Sequence, residues 1–135
     1  MKKNKTAAKI WFRKAKDHLA FARAGWKESK IVSDTCVLCQ QAAEKALKAL
    51  LELENVNVEK TPPLKTHRLA DIIEECKKYY PGVEDFRNDC DRLTVYYFDR
   101  YPADVPLNLT EEDAKFAIEV AEKILLFVED IISKA

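Results

Sequence analysis

The sequence predicts an all-α fold, an antiparallel up-and-down four-helix bundle with an additional short helix, filling residues 1–135 as a single domain. Three observations carry that prediction. Gly and Pro, the residues most costly inside helices, number two and five in 135. Apolar residues recur at spacings of three and four through most of the chain. Pro and Gly clusters divide it into helix-sized pieces, and the length suffices for one core but leaves no room for a second domain.

Taken in order, Thr6 to Trp26 reads as an amphipathic first helix with Ile10, Trp11, Leu19, Ala22 and Trp26 on its apolar face, ended by Gly25 and Lys27-Glu28-Ser29-Lys30. Ile31 to Glu54 carries the strongest stripe, at positions 32, 36, 39, 43, 46, 47, 50 and 51. Asn55 to Pro63 interrupts with Asn-Val-Asn and a Pro-Pro pair. Thr66 is the expected N-cap of a short helix holding Leu69, Ile72, Ile73 and Cys76, and Pro81-Gly82 ends it. Val83 to Phe98 forms a fourth helix with Phe86, Cys90, Leu93 and Tyr97 on one side. Asp99 to Leu109, with two prolines and no periodicity, is a loop long enough to suggest function. Thr110 caps the last helix, whose first turn is acidic, as suits the positive end of its dipole. That helix has a buried stripe and a second apolar row, Ile118, Leu125 and Ile132, which reads as a self-association face.

The net charge is zero but uneven. Residues 1 to 30 carry ten basic and two acidic side chains, and residues 81 to 135 carry six and thirteen. This dipole suits pairing of the first and last helices or a partner surface, and any polynucleotide contact must be local. No segment approaches the ~18 apolar residues of a membrane span, so the expectation is a cytoplasmic protein without a membrane partner. Cys36 and Cys39 lie three apart with neither a second close pair nor histidines at ligand spacing, and they read as buried thiols; no metal or cofactor is expected.

Three segments together resemble the HEPN family: Gln40-Gln41-Ala42-Ala43-Glu44-Lys45-Ala46-Leu47-Lys48-Ala49-Leu50-Leu51 in the second helix, Thr66-His67-Arg68-Leu69 at the third, and Arg100-Tyr101-Pro102 before the last. The resemblance covers nearly the whole chain. It implies a homodimer with a functional groove at the dimer interface. It also implies either a minimal nucleotidyltransferase as partner in a toxin-antitoxin-like pair, or metal-independent cleavage of RNA. The ribonuclease members carry a His separated from such an Arg by four to six intervening residues, and here those positions are Val105, Pro106 and Leu107. A proton-transfer group is therefore absent where the chemistry needs one, and no catalytic residue is assigned.

The expected binding residues for a nucleotide, RNA or partner are Arg100, with Asp99 to orient it and Tyr101 and Tyr97 to stack, together with His67 and the ridge Gln41, Lys45 and Lys48. Each has a plainer reading. The Tyr-rich loop could be packed structure, His67 a capping-region histidine, and the ridge a solvated face. A ribonuclease toxin using His67 or Tyr101 as a substitute, and a purely architectural protein, are the alternatives. Arg13 and His18 repeat the Arg/His spacing, but five residues place them about 140° apart around one helix, and His18 reads as an exposed or boundary residue.

Overall fold

The computed structural model describes residues 2–98 and 108–135. The described residues form five α-helices: α1 (Lys5–Ser29), α2 (Val32–Leu53), α3 (Leu69–Cys76), α4 (Arg87–Phe98) and α5 (Glu111–Lys134). Short 3-10 turns at Val58–Lys60, Pro62–Leu64 and Pro81–Phe86 fill the connections. No strand occurs among the described residues.

The helix directions follow from a few contacts. The Asn4 N–H bonds the Leu53 carbonyl, so α1 and α2 form an antiparallel hairpin across a two-residue link. Lys5 and Lys9 share a groove with Ile132 and Ser133, while Arg23 pairs with Glu122, so α5 also runs opposite to α1. Tyr96 near the end of α4 bonds Asp113 at the start of α5. The bundle is therefore α1, α2, α4 and α5 up and down, with α3 as the short extra helix.

The α2 helix is the central member, packed on all four others, and 16 of its 22 residues are buried. Its small residues Ala42, Ala43, Ala46 and Ala49 permit close approach, and Leu47, Leu50 and Leu51 fill the core with Ile72, Ile73, Leu93 and Ile124. Each such side chain contributes about 2 kcal/mol by leaving water.

Local details differ from the sequence reading. The buried stripe of α1 is Ala8, Phe12, Ala15, Leu19, Ala22 and Trp26, whereas Ile10 is exposed and Trp11 half-buried. The small Ala8, Ala15 and Ala22 are buried where the larger Ile10 is not, in keeping with the close packing of α1 on α2. Gly25 does not stop the helix, which continues to Ser29 and ends where Lys30 turns left-handed at φ 56°. Thr66 is not the N-cap of α3: it accepts the Arg68 N–H in a turn ahead of the helix, and Arg68 occupies the cap position. On α4, Tyr96 is buried and Tyr97 is only partly covered.

The second row of α5 is not an open face. Leu125 and Ile132 are buried and Ile118 is partly buried, because α1 and α2 both pack on this helix. The large apolar side chains left exposed nearby are Leu126 and Phe21. Nor do the first and last helices neutralise one another: among the described residues Arg23–Glu122 is the ion pair that joins them. Thr110 does cap α5, with the Asp113 carboxylate accepting the Thr110 N–H at 2.9 Å. All four cysteines are free and buried, and burial pushes the thiols of Cys36, Cys39 and Cys90 up to about 12. No described helix is long and apolar enough to cross a membrane.

Candidate functional site

A carboxylate lies at zero exposure in the middle of α2. Glu44 occupies a helix position that would ordinarily be apolar, and a lone buried carboxylate would be strongly unfavourable. It is stabilised by four neighbours. His67 Nδ1 is 2.8 Å from Oε1, and the Gln40 amide reaches the same oxygen at 3.4 Å. Lys48 donates to Oε2 at 3.0 Å and Lys45 at 3.4 Å. Helical spacing explains part of this, since Gln40, Glu44 and Lys48 are successive i, i+4 neighbours on one face.

Burial alone would raise the Glu44 carboxyl. The His67 hydrogen bond and the Lys45 and Lys48 charges outweigh it, and the net shift is below the ordinary carboxylate value. An ionised carboxylate only accepts hydrogen bonds, so the Nδ1 of His67 carries the proton. In the neutral ring this leaves Nε2 as an acceptor on a side chain that is 47 % exposed. The ring stacks on Tyr97 with centroids 4.2 Å apart.

The backbone before α3 is tied to the same place. The Gln40 amide donates to the His67 carbonyl at 2.8 Å, and the Leu69 N–H bonds Thr94 on α4. These two bonds fix the approach of the His67 segment to α2 and α4. Gln40 itself is fully buried, and its Oε1 has no hydrogen-bond partner among the described residues. Such an unsatisfied acceptor costs about 1–3 kcal/mol and is uncommon in a purely structural core.

Of the residues the sequence singled out, His67, Tyr97 and Lys45 meet in this cluster, and Lys48 joins it as a buried charge. Lys48 is thus no solvated ridge residue, because it is drawn inward by Glu44. Gln41 is half-buried on the same helix. Asp99, Arg100 and Tyr101 lie outside the described residues. His67 is not a first-turn histidine, because α3 begins two residues later; its partner is a side chain, Glu44.

Sequence reasoning missed Glu44 and Gln40, whose polar character inside the Gln40–Leu51 run was the available signal. It also missed Trp11 and His18 from α1. The Trp11 ring lies under Lys14, Lys45 and Lys48, and His18 is half-buried near Lys45. Arg13 is exposed and pairs with Asp17, so the Arg13/His18 spacing builds no joint site. Among the described residues no group of three or more His, Cys, Asp or Glu could hold a metal ion.

The HEPN domain profile matches residues 8–131, nearly the whole chain. The chain belongs to the HEPN family. Two solved structures share its fold at 27 % identity: an archaeal HEPN homologue, covering 98 % of this chain and 99 % of that one with a TM-score of 0.71, and the protein TT1696 from Thermus thermophilus, covering 91 % and 96 % with a TM-score of 0.72. No curated protein gives a significant match. Within this HEPN bundle, the Gln40–Leu51 helix and the Thr66–Leu69 segment, noted separately in the sequence, are joined by the Glu44–His67 and Gln40–His67 bonds.

Proposed function

We propose that this HEPN protein recognises a phosphate-bearing nucleotide or RNA at the face formed by His67, Tyr97 and Lys45, with Arg100 and Tyr101 contributing from the segment that follows α4. The observation that carries the reading is the Glu44–His67–Tyr97 arrangement. A buried, ionised carboxylate holds one edge of an imidazole, an aromatic ring supports its face, and part of the ring remains open to solvent. Buried charges of this kind add little to stability compared with apolar replacements, which favours a role in recognition. A stacked imidazole and tyrosine suit a nucleobase, and Lys45 and Arg100 suit a phosphate.

The reading includes a homodimer and a nucleotidyltransferase as protein partner in a toxin-antitoxin-like pair, both carried over from the family resemblance as part of the proposal. It assigns no Arg/His ribonuclease chemistry to Arg100, because Val105, Pro106 and Leu107 stand where the histidine would be. Titration of the purified protein with nucleotides and short RNAs, wild type against Arg100→Ala and His67→Ala, tests it. Weaker binding in both variants is expected; unchanged affinity, or no binding by the wild type, overturns it.

A second reading is supported by one specific observation. A histidine whose Nδ1 proton is held by a carboxylate is an oriented base, so His67 Nε2 could take the 2′-hydroxyl proton as that oxygen attacks phosphorus and the 5′-oxygen leaves, taking a proton from water. RNA cleavage that survives extensive purification, yields 2′,3′-cyclic phosphate ends and disappears in His67→Ala would establish it. A protein that binds neither nucleotide nor RNA, yet forms a stable complex with a nucleotidyltransferase, would instead be architectural.

A further inference from the structure

Three ammonium groups converge on one indole. The Nζ atoms of Lys14, Lys45 and Lys48 lie 5.2, 5.6 and 6.0 Å from the centroid of Trp11, the first from α1 and the other two from α2. Like charges gathered in this way repel, and the partly buried setting weakens screening by water and salt. Cation–π attraction offsets only some of that repulsion.

The available negative charge does not balance the cluster. Glu44 Oε2 accepts both Lys48 and Lys45, while Oε1 is taken by His67 and Gln40. Lys14 has no ion pair among the described residues. His18, one turn beyond Lys14 on α1, lies in the same field: burial first, then Lys45 and more weakly Lys14, lower its pKa against the opposing Asp17 and Glu44 charges. Lys48 is buried and committed to Glu44, whereas Lys45 is partly exposed and Lys14 exposed, so these two can turn toward a ligand.

We infer that Trp11, Lys14, His18 and Lys45 form an anion subsite that seats a phosphate group of a nucleotide or RNA between α1 and α2. The inference rests on the nucleotide-or-RNA reading above and deepens it by giving the phosphate a place on the α1 side of Glu44. Lysine ammoniums meet phosphate oxygens as mobile point charges, and the half-buried indole provides a floor on which a sugar or base can lie. A bound phosphate removes the lysine repulsion and supplies the negative charge the cluster lacks.

The chain has two tryptophans, so Trp26→Phe leaves Trp11 as its single indole reporter. That variant is titrated with ATP, with a short single-stranded RNA and with poly-glutamate, following Trp11 emission. In unmodified protein the His18 ring resonance is followed against pH with and without ATP or RNA, which does not depend on the Trp26 substitution. The expected results are a saturable emission change with ATP or RNA, an upward shift of the His18 titration on binding, and affinity weakened about tenfold in Lys14→Gln and further in the Lys14→Gln/Lys45→Gln double variant. A response to ATP assigns a mononucleotide and a response to RNA alone assigns the polymer; both support the subsite. Equal response to poly-glutamate overturns it in favour of an acidic protein partner. If Lys14→Gln binds normally while His67→Ala and Arg100→Ala do not, the subsite falls and the nucleotide reading stands; if no nucleotide or RNA binds to the wild type, both fall.

Discussion

His67 Nδ1 lies 2.8 Å from Oε1 of Glu44, a carboxylate with no solvent exposure, and this contact joins the segment before α3 to the central helix. Because Lys48 shares the same carboxylate, Glu44 cannot be removed without leaving a buried ammonium unpaired. Glu44→Ala should destabilise the fold by about 3–5 kcal/mol. Replacing Glu44 and Lys48 together by apolar residues of similar volume should cost much less, and urea unfolding of the single and double variants checks this.

Acid should weaken the fold through two carboxylates. Asp113 accepts the Thr110 N–H and also meets Arg92 and Tyr96, and these bonds outweigh burial and lower its pKa to about 2, against an ordinary 3.8. A group whose folded pKa is depressed contributes stability above its unfolded pKa and loses it as pH falls through the folded one. The Asp113 contribution is therefore complete above about pH 4 and lost toward pH 2. Glu44, also depressed, acts in the same direction below its ordinary 4.5. Asp113→Asn should flatten the dependence of unfolding free energy on pH between about 4 and 2, measured by chemical denaturation at a series of pH values.

Lys30 ends α1 in the left-handed conformation, which disfavours any side chain. Lys30→Gly should stabilise the protein by about 1 kcal/mol, less any loss of the Lys30 contact with Trp26. A higher unfolding midpoint with an unchanged denaturant slope is the expected result.

Tyr97 supports the His67 ring from α4. If the stack recognises a base, Tyr97→Ala should weaken nucleotide or RNA binding about tenfold, and Tyr97→Phe should retain most of it. Fluorescence anisotropy with a labelled RNA measures the difference, and circular dichroism confirms that the variants fold.

The bundle was legible because α2 and α5 carry long apolar periodicities and because Thr110 and Asp113 stand at capping spacing. On α1 the sequence placed Leu19, Ala22 and Trp26 on the buried face, but it took the bulky Ile10 and Trp11 in place of Ala8, Phe12 and Ala15, because small residues that permit close helix packing carry little hydrophobic signal of their own. Glu44 was hidden for the opposite reason: a glutamate in an Ala- and Lys-rich helix reads as surface, and only the fold brings His67, 23 residues away, to its side chain. Trp11 and His18 join the same cluster through the α1–α2 hairpin, a contact that helical periodicity within α1 cannot reveal. Arg100-Tyr101-Pro102 stood out in the sequence but lies outside the described residues, so the structural weight of the site falls on Glu44, His67 and Tyr97.

The most direct test of nucleotide recognition at His67 is the ring-nitrogen spectrum of the uniformly labelled protein during titration with a short RNA or a nucleotide. Nδ1 should stay protonated against Glu44 throughout, while the Nε2 signal of His67 and the ring signals of Tyr97 shift saturably together. Saturable binding that leaves both His67 Nε2 and Tyr97 unmoved would contradict it.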